Sequence, residues 1–245
     1  MPGRGSIRTQ SRIATGVSFD IKGAPFAGLM EWHPRPGEAF TVSTPDGRLF
    51  RARLTELCAD FASMTAFEEM GAVAEGPEIL LMQALPEKER METIIQKATE
   101  LGVSTILPFK SEKSISLEEL DSRQKRSHNW AGIARKAAKQ SRRSDIPEIK
   151  AYRPFEEALS EAKDCGLKLL LWEGAQIYLK DLLARTALPV TSATILTGPE
   201  GGFSDREIKA AVESGFTGVS LGSRVLRTET AAIFATGLLR YELGG

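Results

Sequence analysis

Residues 194–231 read TILTGPEGGFSDREIKAAVESGFTGVSLGSRVLRTETA and carry the strongest structural signals in this chain. They contain two glycine-rich loops, GPEGG at 198–202 and LGSR at 221–224. Each loop follows a short apolar or β-branched run, one ending at Leu196 and the other beginning at Phe216. Both runs are therefore predicted to be buried strands.

The residues between and after the two loops predict two helices. Ser204 and Glu207 have the spacing of a capping box, in which the serine oxygen and the glutamate carboxylate each accept a backbone N–H. Gly215 lies where that helix is expected to end. A second helix is expected to begin near Thr228, with the threonine hydroxyl as its cap. The order strand, glycine loop, helix therefore occurs twice.

Two glycine loops at the carboxyl ends of neighbouring strands allow the backbone to approach a ligand closely, since glycine has no side chain and accepts positive φ. Two ordinary turns between a strand and a helix would explain the same spacing. Neither loop has the dinucleotide pattern GxGxxG or the phosphate-binding pattern GxxxxGK[ST], so neither common nucleotide site is indicated.

Taken together, in this order and spacing, GPEGGFS and LGSRVLRTETA resemble the ribosomal RNA small subunit methyltransferase E family of the SPOUT superfamily. The resemblance implies an α/β domain tied in a SPOUT-type trefoil knot, with S-adenosylmethionine held by the loops of the knot. It also implies methylation of N3 of a uridine in 16S (small-subunit) ribosomal RNA. The residues implied to bind the cofactor are Leu196, Thr197, Gly198, Glu200, Gly202, Leu221, Gly222, Leu226 and Thr228.

The chemistry implied by this resemblance identifies two candidate catalytic residues. S-adenosylmethionine brings its own electrophile, so the protein must orient the methyl group and make the uridine nitrogen nucleophilic. That nitrogen must lose a proton, and negative charge then spreads onto the flanking carbonyl oxygens. Arg227 is the candidate for stabilising this charge, and Glu229 for accepting the proton or orienting other groups. A first-turn carboxylate that complements the helix dipole is the alternative for Glu229. Glu173, at the end of a predicted strand, is a further candidate ligand contact.

Composition indicates an ordinary globular protein and gives no sign of a metal centre. The 245 residues are 42% hydrophobic and 26% charged, with a formal net charge of zero. Nucleic-acid binding must therefore come from a local basic patch. Cys58 and Cys165 lack metal-binding spacing and are too few for a disulfide framework, which predicts a reducing, cytoplasmic setting. No apolar run reaches the roughly 20 residues that span a bilayer. The basic N-terminus lacks the apolar core of a secretory signal.

Residues 1–74 are predicted to form a small β-rich domain. Residues 17–21 alternate as a strand does, and the runs at 39–43 and 49–54 flank the turn sequence PDG at 45–47, which predicts a hairpin. The family resemblance implies a PUA-like β-barrel RNA-binding domain here. The sequence MEWH at 30–33 departs from the basic stretch usual in the family. Within it, Trp32 either stacks on a base or packs in the core.

Residues 75–245 are predicted to form the α/β methyltransferase domain. The apolar run at 79–82 is typical of a parallel strand buried on both faces. A helix with apolar residues from Met91 to Leu101 and an end at Gly102 is expected next, followed by a strand at 105–109. Helices at 155–163 and 175–184 are expected on either side of a strand at 167–171. This alternation predicts a largely parallel sheet.

The segment 123–143 contains eight Lys or Arg residues and no Asp or Glu. An unmixed basic run favours a polyanionic partner, and a solvated helix face is the alternative. Within this segment, AAKQSR at 137–142 resembles a family sequence, with a lysine where the family usually has glutamate. The candidate RNA contacts are Arg135, Lys139, Gln140, Arg142 and Arg143.

Three functions remain open from the sequence. The first is methylation of small-subunit ribosomal RNA at uridine N3, and the second keeps the fold but changes the RNA or the position. The third is a non-catalytic RNA-binding factor for ribosome assembly that retains a vestigial cofactor pocket. The intact GPEGG and LRTETA sequences argue against the third. The resemblance also implies a homodimer with its site built between two protomers.

Overall fold

The computed structural model describes residues 5–10, 12–72, 76–116, 118 and 129–244, except for the side chains of residues 72 and 88. Contacts divide the chain into two compact units. The N-terminal unit comprises Met1–Ala74 and Ala134–Pro147, and the C-terminal unit comprises Glu75–Ile133 and Glu148–Gly245. Residues 123–128 of the basic segment and the predicted boundary at residues 74 and 75 lie outside the described residues.

An antiparallel four-stranded sheet dominates the N-terminal unit. Its elements are β1 (Ser18–Lys22), α1 (Gly23–Met30), β2 (Ala39–Ser43), β3 (Arg48–Leu57) and β4 (Phe61–Ala72). The strand order is β1-β4-β3-β2. The predicted hairpin is present, because β2 and β3 pair antiparallel with Val42 opposite Phe50. Among the described strands no pairing joins β1 to β2, so the sheet is open there and the expected barrel closure is not seen.

Trp32 belongs to the core of this unit. Its side chain is 2% exposed, and its indole N–H donates to the Gly5 carbonyl over 2.6 Å. The ring meets Phe40 edge-on, with 6.1 Å between the ring centroids. A buried indole that already has a backbone acceptor has no face available for a base, so the core interpretation of Trp32 is the correct one.

Helix α1 was not predicted from the sequence. Gly23 and Gly28 are poor helix formers, and Pro25 lies in the first turn, where its missing N–H costs no helical bond. Leu29 is the buried residue of this helix. Burial of one side chain and a permissive first turn thus outweigh a composition that signals a loop.

The C-terminal unit alternates strands and helices. Its elements are β5 (Glu78–Ala84), α2 (Lys88–Glu100), β6 (Thr105–Lys110), β7 (Glu148–Ile149), β8 (Arg153–Pro154), α4 (Phe155–Glu161), β9 (Leu167–Leu171), α5 (Leu179–Leu183), β10 (Ser192–Thr197), α6 (Asp205–Glu213), β11 (Thr217–Val219) and α7 (Thr228–Leu243). Helix α3 (Trp130–Gln140) begins in this unit, and its residues from Ala134 group with the N-terminal unit.

All strand pairings in the C-terminal sheet are parallel, as the sequence predicted. The order is β11-β9-β10-β5-β6-β7, with β8 also paired to β6. Strand β10 is central, between β9 and β5. Because the strands are parallel, the carboxyl ends of β9, β10 and β11 lie at one edge of the sheet, where both glycine loops leave it.

The core explains why the strand sequences are continuously apolar. Met82, Leu107, Leu170 and Leu196 belong to one buried cluster that also contains side chains from α4 and α6. Helices cover the sheet, and a parallel strand without a solvent face has no position where a polar residue is favoured. The predicted strands at 79–82, 105–109 and 167–171 are confirmed on this basis.

Two helix ends agree with the sequence and one does not. Ser204 and Glu207 form the predicted capping box at the start of α6, and Gly215, with φ of 87°, follows its end. The prediction that Thr228 caps α7 is wrong. Arg227 is the N-cap residue and makes no side-chain capping bond, and the Thr228 hydroxyl donates instead to the Gly198 carbonyl over 2.6 Å.

The helix predicted at 175–184 is also shorter than expected. Residues before Leu179 are occupied by a parallel bridge between Tyr178 and Ser220. In that bridge Ser220 N–H donates to the Ile177 carbonyl over 2.8 Å, and Leu179 N–H donates to the Ser220 carbonyl over 2.9 Å. A backbone engaged in strand pairing cannot also be helical, so α5 begins at Leu179.

Candidate functional site

A pocket of about 380 Å³ opens at the carboxyl ends of β9, β10 and β11 in the C-terminal unit. Its walls are the first glycine loop, residues 198–202, and the second glycine loop, residues 221–224. Val225 and Leu226, which follow the second loop, also line the pocket. The start of α7 and the residues that follow β9 complete the lining. The pocket therefore lies where the parallel-sheet topology predicts a ligand site.

Eight of the nine predicted cofactor residues line this pocket. They are Thr197, Gly198, Glu200, Gly202, Leu221, Gly222, Leu226 and Thr228. The exception is Leu196, which is fully buried in the core cluster of the sheet. In a strand, neighbouring side chains point to opposite faces, so Leu196 and Thr197 cannot occupy the same surroundings. Glu173, the further candidate contact, also lines the pocket.

Glycine is favoured at these loop positions for different structural reasons. A Cβ at Gly198 would lie 3.1 Å from the Phe203 ring, so any larger residue would crowd that ring. Gly202 has φ of 67° and Gly222 has φ of 138°, and both backbones favour glycine. A Cβ at Gly222 would meet no atom within 4 Å. The space beside Gly222 is therefore open toward the pocket that it lines.

A buried hydrogen-bond network joins the sheet to the first glycine loop and to the start of α7. The Gln83 side-chain amide nitrogen lies 3.3 Å from the Gly198 carbonyl, 3.0 Å from the Thr228 hydroxyl and 2.8 Å from the Ala84 carbonyl. Gln83 is fully buried. Sequence reasoning missed it, although a lone amide within the apolar run EILLMQA was a usable signal. Gln83 and Thr228 together fix where the first loop leaves β10.

Sequence reasoning also missed Arg90, which lines the pocket. Its Nη1 atom donates to Glu200 Oε1 over 2.7 Å, and its Nε atom lies 3.9 Å from Glu229 Oε2. Partial desolvation opposes the charge of Arg90, but the hydrogen bond to Glu200 and the charges of Glu229 and Glu87 together raise its pKa. The pocket wall thus contains a permanently charged guanidinium beside carboxylates.

The two predicted catalytic residues differ in their placement. Arg227 lines the pocket at the start of α7. Glu229 lies in the first turn of α7 but does not line the pocket, and its side chain is 18% exposed. Its Oε2 atom is buried and accepts no hydrogen bond within the described structure. Arg227 is therefore in position to contact a ligand, whereas Glu229 faces Arg90.

The five predicted RNA contacts lie in the N-terminal unit and do not line the pocket. Acidic residues neutralise much of their charge, two of them distant in sequence and one, Asp145, two positions after its partner. Three ion pairs do this, Lys139–Glu38 at 2.9 Å, Arg142–Glu68 at 3.5 Å and Arg143–Asp145 at 2.9 Å. The basic segment contains no acidic residue in its sequence, but in the folded unit acidic side chains pair with three of its basic residues.

Arg135 and Lys136, the other described basic side chains of this segment, have no carboxylate partner among the described residues. Arg135 Nη1 lies 3.3 Å from His33 Nε2, and Lys136 and Gln140 are exposed. The pairing at Lys139 affects its acid as well. Burial is the largest single influence on Glu38 and raises its pKa, but the hydrogen bonds and charges of Lys139 and Arg35 together outweigh it, so the net pKa of Glu38 is lowered.

In the part of the chain that the structure describes, no group of three or more His, Cys, Asp or Glu side chains is arranged to hold a metal ion. None of the helices described here combines the length and apolar character needed to cross a bilayer.

Comparison with known proteins identifies close relatives of this chain. A family model described as an RNA methyltransferase domain matches residues 74–240. The ribosomal RNA small subunit methyltransferase E of Bacillus subtilis is 27% identical over 241 residues, covering 96% of this chain and 94% of the relative. The protein of the same name from Mycobacterium bovis is 30% identical over 207 residues, covering 83% and 78%.

Solved structures agree with the sequence relatives. The ribosomal RNA small subunit methyltransferase E of Neisseria gonorrhoeae, bound to S-adenosylmethionine, superposes with a TM-score of 0.66 and 28% identity, covering 96% of both chains. A Legionella pneumophila protein, solved with bound S-adenosylmethionine, superposes with a TM-score of 0.64 and 30% identity, covering 96% and 97% of the two chains.

Proposed function

The chain belongs to the ribosomal RNA small subunit methyltransferase E family, and we propose that it transfers the methyl group of S-adenosylmethionine to N3 of a uridine in 16S ribosomal RNA. The observation that carries this proposal is the pocket at the carboxyl ends of three parallel strands, walled by two glycine loops and lined by Arg227. Relatives that bind S-adenosylmethionine with the same overall fold support the choice of cofactor.

The pocket has the features that S-adenosylmethionine requires. The open space beside Gly222 allows a ligand to contact the backbone. Thr197 lines the pocket, and its buried hydroxyl has no hydrogen-bond partner in the described structure. The Glu173 carboxylate, which lines the pocket, suits a molecule that carries a sulfonium and an ammonium charge, whereas Glu200 is paired with Arg90. The residues that would hold the cofactor are Thr197, Gly198, Glu200, Gly202, Leu221, Gly222, Leu226 and Thr228, with Leu196 as buried support.

S-adenosylmethionine supplies an activated methyl group, and the side chains of this chain act on the uridine. N3 of uridine must give up its proton so that its lone pair can attack. The negative charge that develops on the flanking carbonyl oxygens is stabilised by Arg227, whose guanidinium is planar and permanently charged. Of the roles open to Glu229, orientation fits best, because its carboxylate faces Arg90 and does not line the pocket.

We assign RNA binding to the N-terminal unit. Its sheet corresponds to the PUA-like domain of residues 1–74, and the domain of residues 75–245 carries the trefoil knot that the family resemblance implies. Arg135, Lys136 and Gln140 are the side chains that contact RNA, because no carboxylate in the described residues neutralises the first two. Lys139, Arg142 and Arg143 shape this surface through their ion pairs and contribute less charge to RNA.

We propose that the protein acts as a homodimer in the cytoplasm. Phe234 and Tyr241 are seven residues apart on α7, so they share one helix face, and they are 46% and 83% exposed. Large exposed apolar side chains on one helix face suit a subunit interface. Light scattering at micromolar concentration tests this, and a fully active monomer would contradict it.

The decisive experiment maps modified nucleosides by mass spectrometry. Each small-subunit ribosomal RNA molecule from a strain lacking this protein should contain one 3-methyluridine fewer than the wild-type RNA. The wild-type gene should restore it. A gene encoding Arg227→Ala should not. Calorimetric titration with S-adenosylmethionine should show one site per chain. If the deletion strain keeps its 3-methyluridine and loses a different modified nucleoside, the protein is a methyltransferase of the same fold that modifies another position.

A further inference from the structure

The side chain of Arg90 lies between the first glycine loop and the start of α7, two elements that line the pocket. It stands in the first turns of α2 and lines the pocket. Three carboxylates surround its guanidinium, from Glu200 at 2.7 Å, Glu229 at 3.9 Å and Glu87 at 4.0 Å. Glu200 belongs to the first glycine loop and Glu229 to α7. A single cation therefore contacts two elements that are far apart in sequence.

The contact with Glu200 fixes the first glycine loop to the start of α2. Glu200 Oε1 accepts from Arg90 Nη1, and it also accepts from the backbone N–H of Glu87 over 3.2 Å. That N–H belongs to the N-cap residue of α2, which makes no side-chain capping bond of its own. A carboxylate at this position satisfies an orphan donor and complements the helix dipole. The loop and the helix thus stabilise each other.

The contact with Glu229 concerns the start of α7. Glu229 Oε2 is buried and accepts no hydrogen bond in the described structure. A buried carboxylate is costly unless a positive charge compensates it. Arg90 supplies that charge, and Glu229 is separated by one residue from Arg227, which lines the pocket. The position of Arg90 therefore influences how the helix start presents Arg227.

We propose that Arg90 is a positioning residue for the methyl-transfer step, holding the first glycine loop through Glu200 and the start of α7 through Glu229. Cofactor affinity and the placement of Arg227 then depend on one guanidinium. This inference rests on the proposed function, because it assigns Arg90 a role in the same pocket. An arginine suits the role because separate nitrogens, Nη1 and Nε, face the two carboxylates, whereas a lysine ammonium presents a single point charge.

Substitutions at Arg90 test this arrangement. Arg90→Gln should raise the Kd for S-adenosylmethionine and lower kcat, each by about tenfold, since two partly exposed charged contacts are lost. Arg90→Lys keeps the charge and should restore Kd and kcat to different extents. If Arg90 were merely structural, the substitution would lower the melting temperature but leave the Kd and kcat of the folded protein unchanged. Titration calorimetry and single-turnover methylation measure the two quantities.

Arg206 provides the matched control. Its guanidinium also bridges two carboxylates in the C-terminal unit, Glu112 at 2.5 Å and Glu156 at 3.1 Å, but it does not line the pocket. Arg206→Gln should therefore leave Kd and kcat within about twofold of wild type, because surface ion pairs contribute little. An equal effect of both substitutions would mean that Arg90 acts only through general stability, and would overturn the proposal.

Double-mutant cycles separate the two contacts. Glu200→Gln should weaken cofactor binding, and Glu229→Gln should mainly lower kcat, but each should add little in the Arg90→Gln background because the shared partner is already gone. Additive losses would overturn the proposal. If Arg90→Gln does not fold, Arg90→Lys and the two glutamate variants complete the same comparison. Failure of the wild type to bind S-adenosylmethionine would instead contradict the proposed function, whatever Arg90 does.

Discussion

At the scale of single residues, Arg227 and Arg90 differ in whether a carboxylate is paired with them. Arg227 lines the pocket at a helix start and has no ion pair within 4.0 Å in the described structure, whereas Arg90 is paired. A guanidinium not already engaged by a carboxylate can direct its donors at a ligand. Arg224 also lines the pocket and has no ion pair in the described structure; we propose Arg227 for stabilising charge on a uracil ring because it lies at the start of α7.

Arg227→Lys should lower the methylation rate far more than cofactor affinity. Lysine keeps the charge but loses the planar fork, so a charge-assisted hydrogen bond made mainly in the transition state is lost. The expected loss is about 2–4 kcal/mol, or about 30- to 1,000-fold in rate. Single-turnover rates and calorimetric Kd values measure the two effects.

Glu229→Gln is the companion to this test. If Glu229 orients Arg90, the variant should lose rate but keep the shape of its pH–rate profile. Partial recovery of the rate at high pH would mean that Glu229 accepts the proton, because hydroxide can replace a missing base. A rate like that of the wild type for both variants would remove the start of α7 from the chemistry.

Sequence reasoning named most of the predicted cofactor residues that line the pocket, but it missed Gln83 and Arg90, which support the pocket wall. The two glycine loops are local in sequence, so their conformation and their meeting at one sheet edge follow from strand periodicity and parallel topology. Gln83 and Arg90 contact residues more than a hundred positions away, Gly198 and Glu200 respectively, and no local pattern encodes such a partner. The Thr228 hydroxyl was assigned to capping for the same reason, since its true acceptor, Gly198, is distant.

At the scale of elements, α6 is the helix whose ends the sequence specifies most completely. Glu207 Oε2 accepts from Ser204 N–H over 2.9 Å, and Ser204 Oγ accepts from Glu207 N–H over 3.2 Å. The second Glu207 oxygen accepts from Glu112 N–H over 3.0 Å, which ties the helix start to the segment after β6. The capping box therefore anchors α6 immediately after the first glycine loop.

Ser204→Ala should lower the free energy of unfolding by about 1 kcal/mol, since one capping acceptor is lost. Urea denaturation monitored by circular dichroism measures this. Ser160→Ala is the control, because the Ser160 hydroxyl donates to the Glu157 carbonyl late in α4 and caps no helix start. Equal effects of the two substitutions would show that the capping geometry contributes nothing.

At the scale of the whole molecule, the folded distribution of charge differs from the distribution along the chain. Glu38, Glu68 and Asp145 neutralise three of the five predicted RNA contacts. The sequence could indicate a concentrated basic segment, but it could not indicate that acids from residues 38 and 68 fold against it. For the same reason, the grouping of residues 134–147 with the N-terminal unit was not predictable.

The salt dependence of RNA affinity distinguishes neutralised from available charges. Each lost phosphate contact reduces the slope of log affinity against log salt by about 0.7–0.9. The double variant Arg135→Gln/Lys136→Gln should therefore reduce this slope by about 1.4–1.8. Arg143→Gln should leave the slope nearly unchanged, since Asp145 already pairs with Arg143. Filter binding across a salt series measures both, and equal slopes for all three proteins would assign RNA contact to another surface.

The discontinuous composition of the N-terminal unit also bears on its synthesis. The Thr41 hydroxyl donates to the Arg142 carbonyl over 2.8 Å, across 101 residues of chain. The unit therefore cannot complete its contacts when β4 leaves the ribosome, and must wait until residue 147 has emerged. At roughly 5–20 residues per second, the 75 intervening residues take about 4–15 seconds to translate. During that interval the nascent sheet lacks residues 134–147, including the ion pairs that Lys139 and Arg142 make with Glu38 and Glu68 in the finished protein.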